Sequence, residues 1–177
     1  MNTTSAKLLI SAADHCACIK VEGRATFNSS VDFRNLIQAL SANGYDRVSL
    51  DLGKCGLMDS TFLGVLSGFG LSMRQRPGPG DRRLEILNAN ARIIELLETM
   101  GVIHLFKLGE GQGVCAPEEP VPSCNATKEE LNRTCLQAHK KLIEINPANE
   151  PKFTDVNEFL ANELKKSQAG SEAIPHP

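Results

Sequence analysis

Val48-Ser49-Leu50-Asp51-Leu52 and, a short loop later, Met58-Asp59-Ser60-Thr61-Phe62-Leu63-Gly64-Val65-Leu66 decide how the whole chain is read. Val48, Leu50 and Leu52 alternate with polar neighbours, which predicts a strand over Arg47–Leu52 with one face on a core. After the loop the apolar period lengthens: Phe62, Val65, Leu66, Phe69 and Met73 recur at steps of three and four. That spacing predicts a helix from about Ser60 to Gln75, broken by Arg76-Pro77-Gly78-Pro79-Gly80-Asp81. An Asp-Ser-Thr triplet therefore stands where the first backbone N–H groups of a helix lack partners, and Asp59, Ser60 or Thr61 can each cap it.

Working toward the N-terminus, Leu8–Ala13 and Cys16–Gly23 read as two strands meeting at a tight turn on Asp14-His15. Ser29 and Ser30 are candidate caps for a helix running to about Ala42, with Val31, Leu36, Ile37 and Leu40 on its stripe and Gly44 just beyond its end. Toward the C-terminus, Leu84 and Ile86 mark a fourth strand. Asn90 caps a short helix through Met100, Gly101 stops it, and Val102–Leu108 supplies a last strand. The alternation predicts an α/β layer structure, a mixed sheet of four to five strands with helices on one face, over residues 1–108.

Residues 109–126, rich in Gly and Pro, read as a linker. Thr127-Lys128-Glu129-Glu130 has the form of a capping box, so a helix starts there and runs to Ile145, with Leu131, Cys135, Ala138, Leu142 and Ile145 as its stripe. Asn146-Pro147 stops it, and Pro151 suits the start of another helix carrying Val156, Leu160 and Leu164, flanked by Phe153 and Phe159. Residues 127–168 thus predict a C-terminal helical hairpin with one apolar side, too short to stand alone. That side is expected to cover its own core or a dimer mate in a homodimer, in preference to a dedicated partner, while 169–177 read as a disordered tail.

Composition narrows the function classes. Among 177 residues, 19 basic and 21 acidic side chains give a formal net charge of -2, which argues against a general nucleic-acid binder. Residues 1–108 hold 12 basic and 10 acidic groups, a net of +2, and residues 109–177 hold 7 and 11, a net of -4. No segment reads as a membrane span or a secretion signal, so a cytoplasmic protein with reduced thiols is expected. The six Cys and four His are scattered, and from spacing alone they assemble neither a metal cage nor a Cys/His dyad. No catalytic residue, metal or cofactor is assigned, and a hydrolase using Ser60 lacks a positioned base.

A phosphate on Ser60 suits a helix N-terminus, where free donors and the dipole favour an anion. It adds roughly 1.5 to 2 negative charges at one surface point, and a docked partner would have to desolvate them. The stretch resembles the STAS domain, shared by sulfate transporters and anti-sigma factor antagonists, through Asp51-Leu52, Asp59-Ser60 and Leu63-Gly64-Val65-Leu66. Gly23, Leu87-Asn88, Leu96-Leu97 and Gly101 extend the match over about Leu8–Leu108. Phe62 stands where that family usually has Gly, and Gly23-Arg24-Ala25-Thr26 lacks the acidic residue many antagonists carry.

The resemblance implies an anti-sigma factor antagonist that regulates transcription as a partner switch. Unmodified, it would bind an anti-sigma factor that is also a serine kinase. Phosphorylated on Ser60, it would release that partner, and a metal-dependent serine phosphatase would reset it. Asp59, Thr61, Phe62, Gly64, Arg24 and Thr26 are the expected partner contacts around the phosphosite. The alternative is a constitutive STAS scaffold or transporter-associated subunit, in which Ser60 only caps its helix.

Overall fold

A computed structural model of the chain describes residues 5–114 and 116–172. The hairpin β1 (Lys7–Ala13) and β2 (Cys16–Ala25) turns on Asp14 and His15, both with positive φ. Helix α1 (Phe27–Ala42) leads to β3 (Arg47–Met58), and α2 (Ser60–Gln75) leads to β4 (Leu84–Leu87). Helix α3 (Ala91–Thr99) and a 3-10 turn at Ile103–Leu105 precede β5 (Phe106–Gly109). Strand β6 (Glu119–Pro120), α4 (Lys128–Ile145), a second 3-10 turn at Pro147–Asn149 and α5 (Glu150–Glu172) complete the order.

The sheet runs β5-β4-β3-β2-β1-β6, parallel from β5 through β2 and antiparallel at β1 and β6. Ile19, Val21, Leu50, Leu52 and Ile86 share one face and form a continuous core with Phe33 and Ile37 of α1, Phe62 and Leu66 of α2, and Ile93 and Leu97 of α3. The expected α/β sheet with helices is therefore present, with one strand more than foreseen. That sixth strand comes from the segment expected to be a linker. Val121 N–H donates to Leu8 O, Glu118 pairs with Lys20, and Gly113 lies against Cys18 and Ser49 on the sheet face away from the helices.

Four further expectations are corrected. Strand β3 continues to Met58 through the stretch expected to be a loop; shifts in its register against β2 carry the pairing past Gly53 and Gly56. Helix α1 starts earlier, with Thr26 as its N-cap. Ser29 and Ser30 are buried inside it and donate back to the carbonyls of Thr26 and Phe27. Helix α5 extends through Glu172, so only 173–177 of the expected disordered tail lie outside the described residues. On α5 the buried line is Phe153 and Leu160, whereas Val156 is exposed and Phe159 is 61% exposed.

The helical hairpin packs on its own chain. Helix α4 begins with the expected capping box, Thr127 Oγ1 accepting from Glu130 N and Glu130 accepting from Thr127 N. It crosses α2 at a point where only glycine fits: a Cβ on Gly64 would stand 2.4 Å from Ala138 O. At the far end Asn149 is fully buried and donates to Met100 O and Leu142 O, with Asn146 donating to the same Met100 carbonyl. Leu142 and Phe153 join the domain core.

Gly64→Ala is therefore expected to destabilise the chain by about 1–3 kcal/mol through overpacking. Gly68→Ala meets only the flexible Lys141 side chain, with Cγ at 3.4 Å, and is expected to be neutral or to stabilise by up to about 1 kcal/mol. Urea denaturation of the two variants measures this contrast.

Candidate functional site

Asp59, the residue between β3 and α2, has both carboxylate oxygens engaged. Oδ1 accepts from Phe62 N at 2.9 Å and caps α2; Oδ2 accepts from Phe27 N at 2.7 Å, in the first turn of α1. Its own N–H donates to Ala25 O at 2.9 Å, tying β3 to the end of β2. One anion thus answers unpaired donors from two helices, where both dipoles favour negative charge.

With Asp59 as the cap, Ser60 becomes the first residue of α2 and its hydroxyl is left for another partner. The half-buried Ser60 Oγ lies 3.0 Å from His139 Nε2, on α4. The imidazole is 4% exposed and stacks on Phe153, with ring centroids 4.3 Å apart and planes 14° apart. His139 Nδ1 lies 3.1 Å from Asn157 Oδ1 of α5. That oxygen only accepts, so Nδ1 carries the proton, and Nε2 accepts from the Ser60 hydroxyl. Burial holds the His139 pKa below the ordinary histidine value of 6.5, against the opposing pull of the Asn157 hydrogen bond and the Asp59 charge.

Thr61 is buried beside it and donates to Cys135 Sγ at 3.1 Å. The Cys135 Sγ is 3.9 Å from His139 Nε2, and burial raises its pKa, so it stays a thiol. One residue earlier on α4, Thr134 Oγ1 accepts from Arg34 at 2.7 Å.

Ser60, His139 and Asn157 therefore form a hydroxyl–imidazole–amide relay, which corrects the reading that Ser60 has no base positioned against it. A nucleophile also needs donors for the oxyanion it generates. Of the N–H groups in the first turn of α2, Phe62 N is committed to the Asp59 carboxylate and Leu63 N to Asp59 O. What this relay does in the folded chain is fasten α4 and α5 to the start of α2.

The expected contact residues separate into two groups. Asp59, Ser60 and Thr26 converge at the ends of β2 and β3, Arg24 is exposed near the end of β2, and Thr61 is not at the surface but buried against Cys135. Phe27, 46% exposed, forms the rim beside them. Phe62 and Gly64 are not on this surface. Phe62 is fully buried and stacks on Phe33 with centroids 4.5 Å apart, and Gly64 lies beneath Ala138. Sequence reasoning missed Cys135, His139 and Asn157 as neighbours of Ser60. The available signal was that His139 follows Cys135 by four residues and so shares the apolar side of α4.

Among the described residues, no group of three or more His, Cys, Asp or Glu is arranged to hold a metal ion, and no helix is long and apolar enough to cross a membrane. The five described cysteines are free thiols.

Residues 8–108 match the family described as "Mlab, STAS domain". No curated protein matches the chain in sequence. Among solved structures, a protein described as an anti-sigma factor antagonist from Thermotoga maritima superimposes with a TM-score of 0.51 at 16% identity, covering 58% of this chain and 85% of its own. An anti-sigma factor antagonist from Mycobacterium paratuberculosis gives a TM-score of 0.50 at 15% identity, covering 59% and 86%. These likenesses concern the fold, and the family match stops before the helical hairpin begins.

The lowered His139 pKa sets the sign of a pH effect. Below 6.5 the unfolded chain binds a proton that the folded chain resists, so stability is complete above that value and falls as pH drops toward the lowered folded pKa. Between about pH 7.5 and about pH 5 the urea midpoint of the wild type is expected to fall further than that of His139→Gln. An equal fall in both contradicts the assignment.

Proposed function

From its membership of the STAS domain family, we propose that this chain is an anti-sigma factor antagonist working as a phosphorylation-controlled partner switch. In the unmodified state it binds an anti-sigma factor that is also a serine kinase; phosphorylation of Ser60 releases that partner, and a metal-dependent serine phosphatase restores binding. The chain is then a ligand and substrate in transcriptional control and not itself an enzyme, and the cytoplasm, where sigma factors act, is its place of work.

The observation that carries this reading is the position of Ser60 on α2. Asp59 has taken over the capping role through Phe62 N, which leaves the Ser60 hydroxyl outside the backbone network and at the edge of the domain. A modified hydroxyl there changes charge without removing a helix cap. Asp59, Thr26, Phe27 and Arg24 supply a mixed polar and aromatic rim for a docked protein. The solved antagonists of similar fold support the class of partner.

A second reading is favoured by the Ser60–His139 hydrogen bond itself. In a constitutive scaffold or transporter-associated subunit, Ser60 would serve only to join the hairpin to the domain.

One set of variants separates the two. With candidate anti-sigma factors from the same genome and ATP, mass spectrometry is expected to find a single phosphate on Ser60, and Ser60→Asp is expected to weaken capture of the same factor by about tenfold or more. Absence of modification together with undiminished capture by Ser60→Asp contradicts the switch. Under the scaffold reading, Ser60→Ala costs about 1 kcal/mol of stability for the lost hydrogen bond and leaves binding intact.

A further inference from the structure

The expected docking face already has an occupant. Thr134, Cys135, Ala138 and His139 of α4 engage, in order, Arg34 of α1 and Thr61, Gly64 and Ser60 of α2. The residues that a partner would read around Ser60 are thus partly covered by the chain's own hairpin. This contact belongs to residues 127–172, beyond the match to the family at 8–108.

We propose that the α4–α5 hairpin is the resident occupant of the Ser60 face, seated only while the Ser60 hydroxyl is unmodified, so that an external protein must displace it and phosphorylation prevents its return. The proposal rests on Ser60 being the modified residue, as argued above.

Three features support it. The first is space. A phosphoryl group on Oγ replaces the proton that His139 Nε2 accepts at 3.0 Å and adds bulk where the ring is in contact. Helix α4 cannot slide to make room, because its backbone at Ala138 is already in contact with Gly64 one turn along α2.

The second is charge. The imidazole is buried against Phe153 with its pKa depressed, and the Asp59 carboxylate is adjacent. A phosphate of nearly two negative charges would enter a place that already holds an anion and a ring kept neutral by burial. The third is tethering. Asn146 and Asn149 bind Met100 O at the opposite end of the hairpin, so the Ser60 end can lift while the turn remains attached. A tethered occupant re-seats as an intramolecular event once the phosphate is removed.

The seated hairpin also indicates what kind of surface displaces it. The exchange partner is an amphipathic helix with a small residue over Gly64, since any larger side chain there meets the α2 backbone as a Cβ on Gly64 meets Ala138. An anti-sigma factor presenting such a helix competes directly with α4.

The test needs no partner protein. Phosphoserine is installed at position 60 of the full chain, and amide hydrogen exchange is compared with the unmodified chain by peptide mass spectrometry. Peptides spanning 128–139 are expected to exchange about tenfold faster or more, while peptides from β2 and β3 keep their rates. Treatment with a broad-specificity phosphatase is expected to restore the slow rates.

Unchanged or slower exchange in α4 overturns the proposal, the slower case meaning that a protonated His139 clamps the phosphate. Faster exchange throughout β2 and β3 overturns it as well, because the phosphate would then disrupt the domain and not the seam. As a second route, Ala138→Glu is expected to free α4 with Ser60 unmodified and to strengthen capture of a helix-presenting partner; a freed α4 with weakened capture contradicts the competition. Failure of the switch reading would show differently, as absence of Ser60 modification by any kinase, with the exchange result on installed phosphoserine still standing.

Discussion

The rest of the structure depends on a single carboxylate that caps two helices. Asp59 accepts Phe62 N with one oxygen and Phe27 N with the other, and its own N–H closes on Ala25 O. This fixes where α1 and α2 start relative to the ends of β2 and β3. It also determines what Ser60 is free to do. A serine at the cap position would have its oxygen drawn to the backbone; one residue later, its hydroxyl is available to a side chain from elsewhere in the chain.

From that arrangement follows the unusual relation between the domain and its C-terminal extension. The extension does more than cover apolar surface. It brings a neutral, buried imidazole to the Ser60 hydroxyl, with Asn157 fixing the tautomer and Phe153 stacked on the ring. Gly64 makes the approach possible by letting two helix backbones touch, and the Asn146–Asn149 turn holds the other end. Domain and hairpin are joined by close packing of Ala138 on Gly64 and by polar contacts at Ser60, Thr61, Arg34 and Met100.

Much of this was legible in the sequence, for identifiable reasons. The bounds of α2 follow from helical periodicity between a strong cap and a Pro-Gly breaker, and α4 announces itself by its capping box. The β6 strand was not legible because two residues, one of them proline, carry no periodicity; it exists only because β1 has a free edge beside Glu119. The start of α1 was misplaced because Ser29 and Ser30 look like caps, although the helix begins at Phe27, whose N–H is taken by the Asp59 carboxylate from across the fold. Phe62 was read both on the apolar stripe of α2 and as a partner contact; the stripe is where it lies, its side chain filling the space against Phe33.

The site itself was half legible. Asp59 and Ser60 stand out as neighbours in the chain, whereas His139 is 79 residues away from Ser60 and meets it only through the packing of α4 on α2. A histidine on an apolar helix side gives no sign of which hydroxyl it will find. The most direct test of the account is a nitrogen-15 NMR measurement of the His139 ring in the unmodified chain at neutral pH. The account predicts a proton on Nδ1, an unprotonated Nε2 accepting from Ser60, and a pKa below that of an exposed histidine. A proton on Nε2, or titration at the ordinary histidine value, would contradict it.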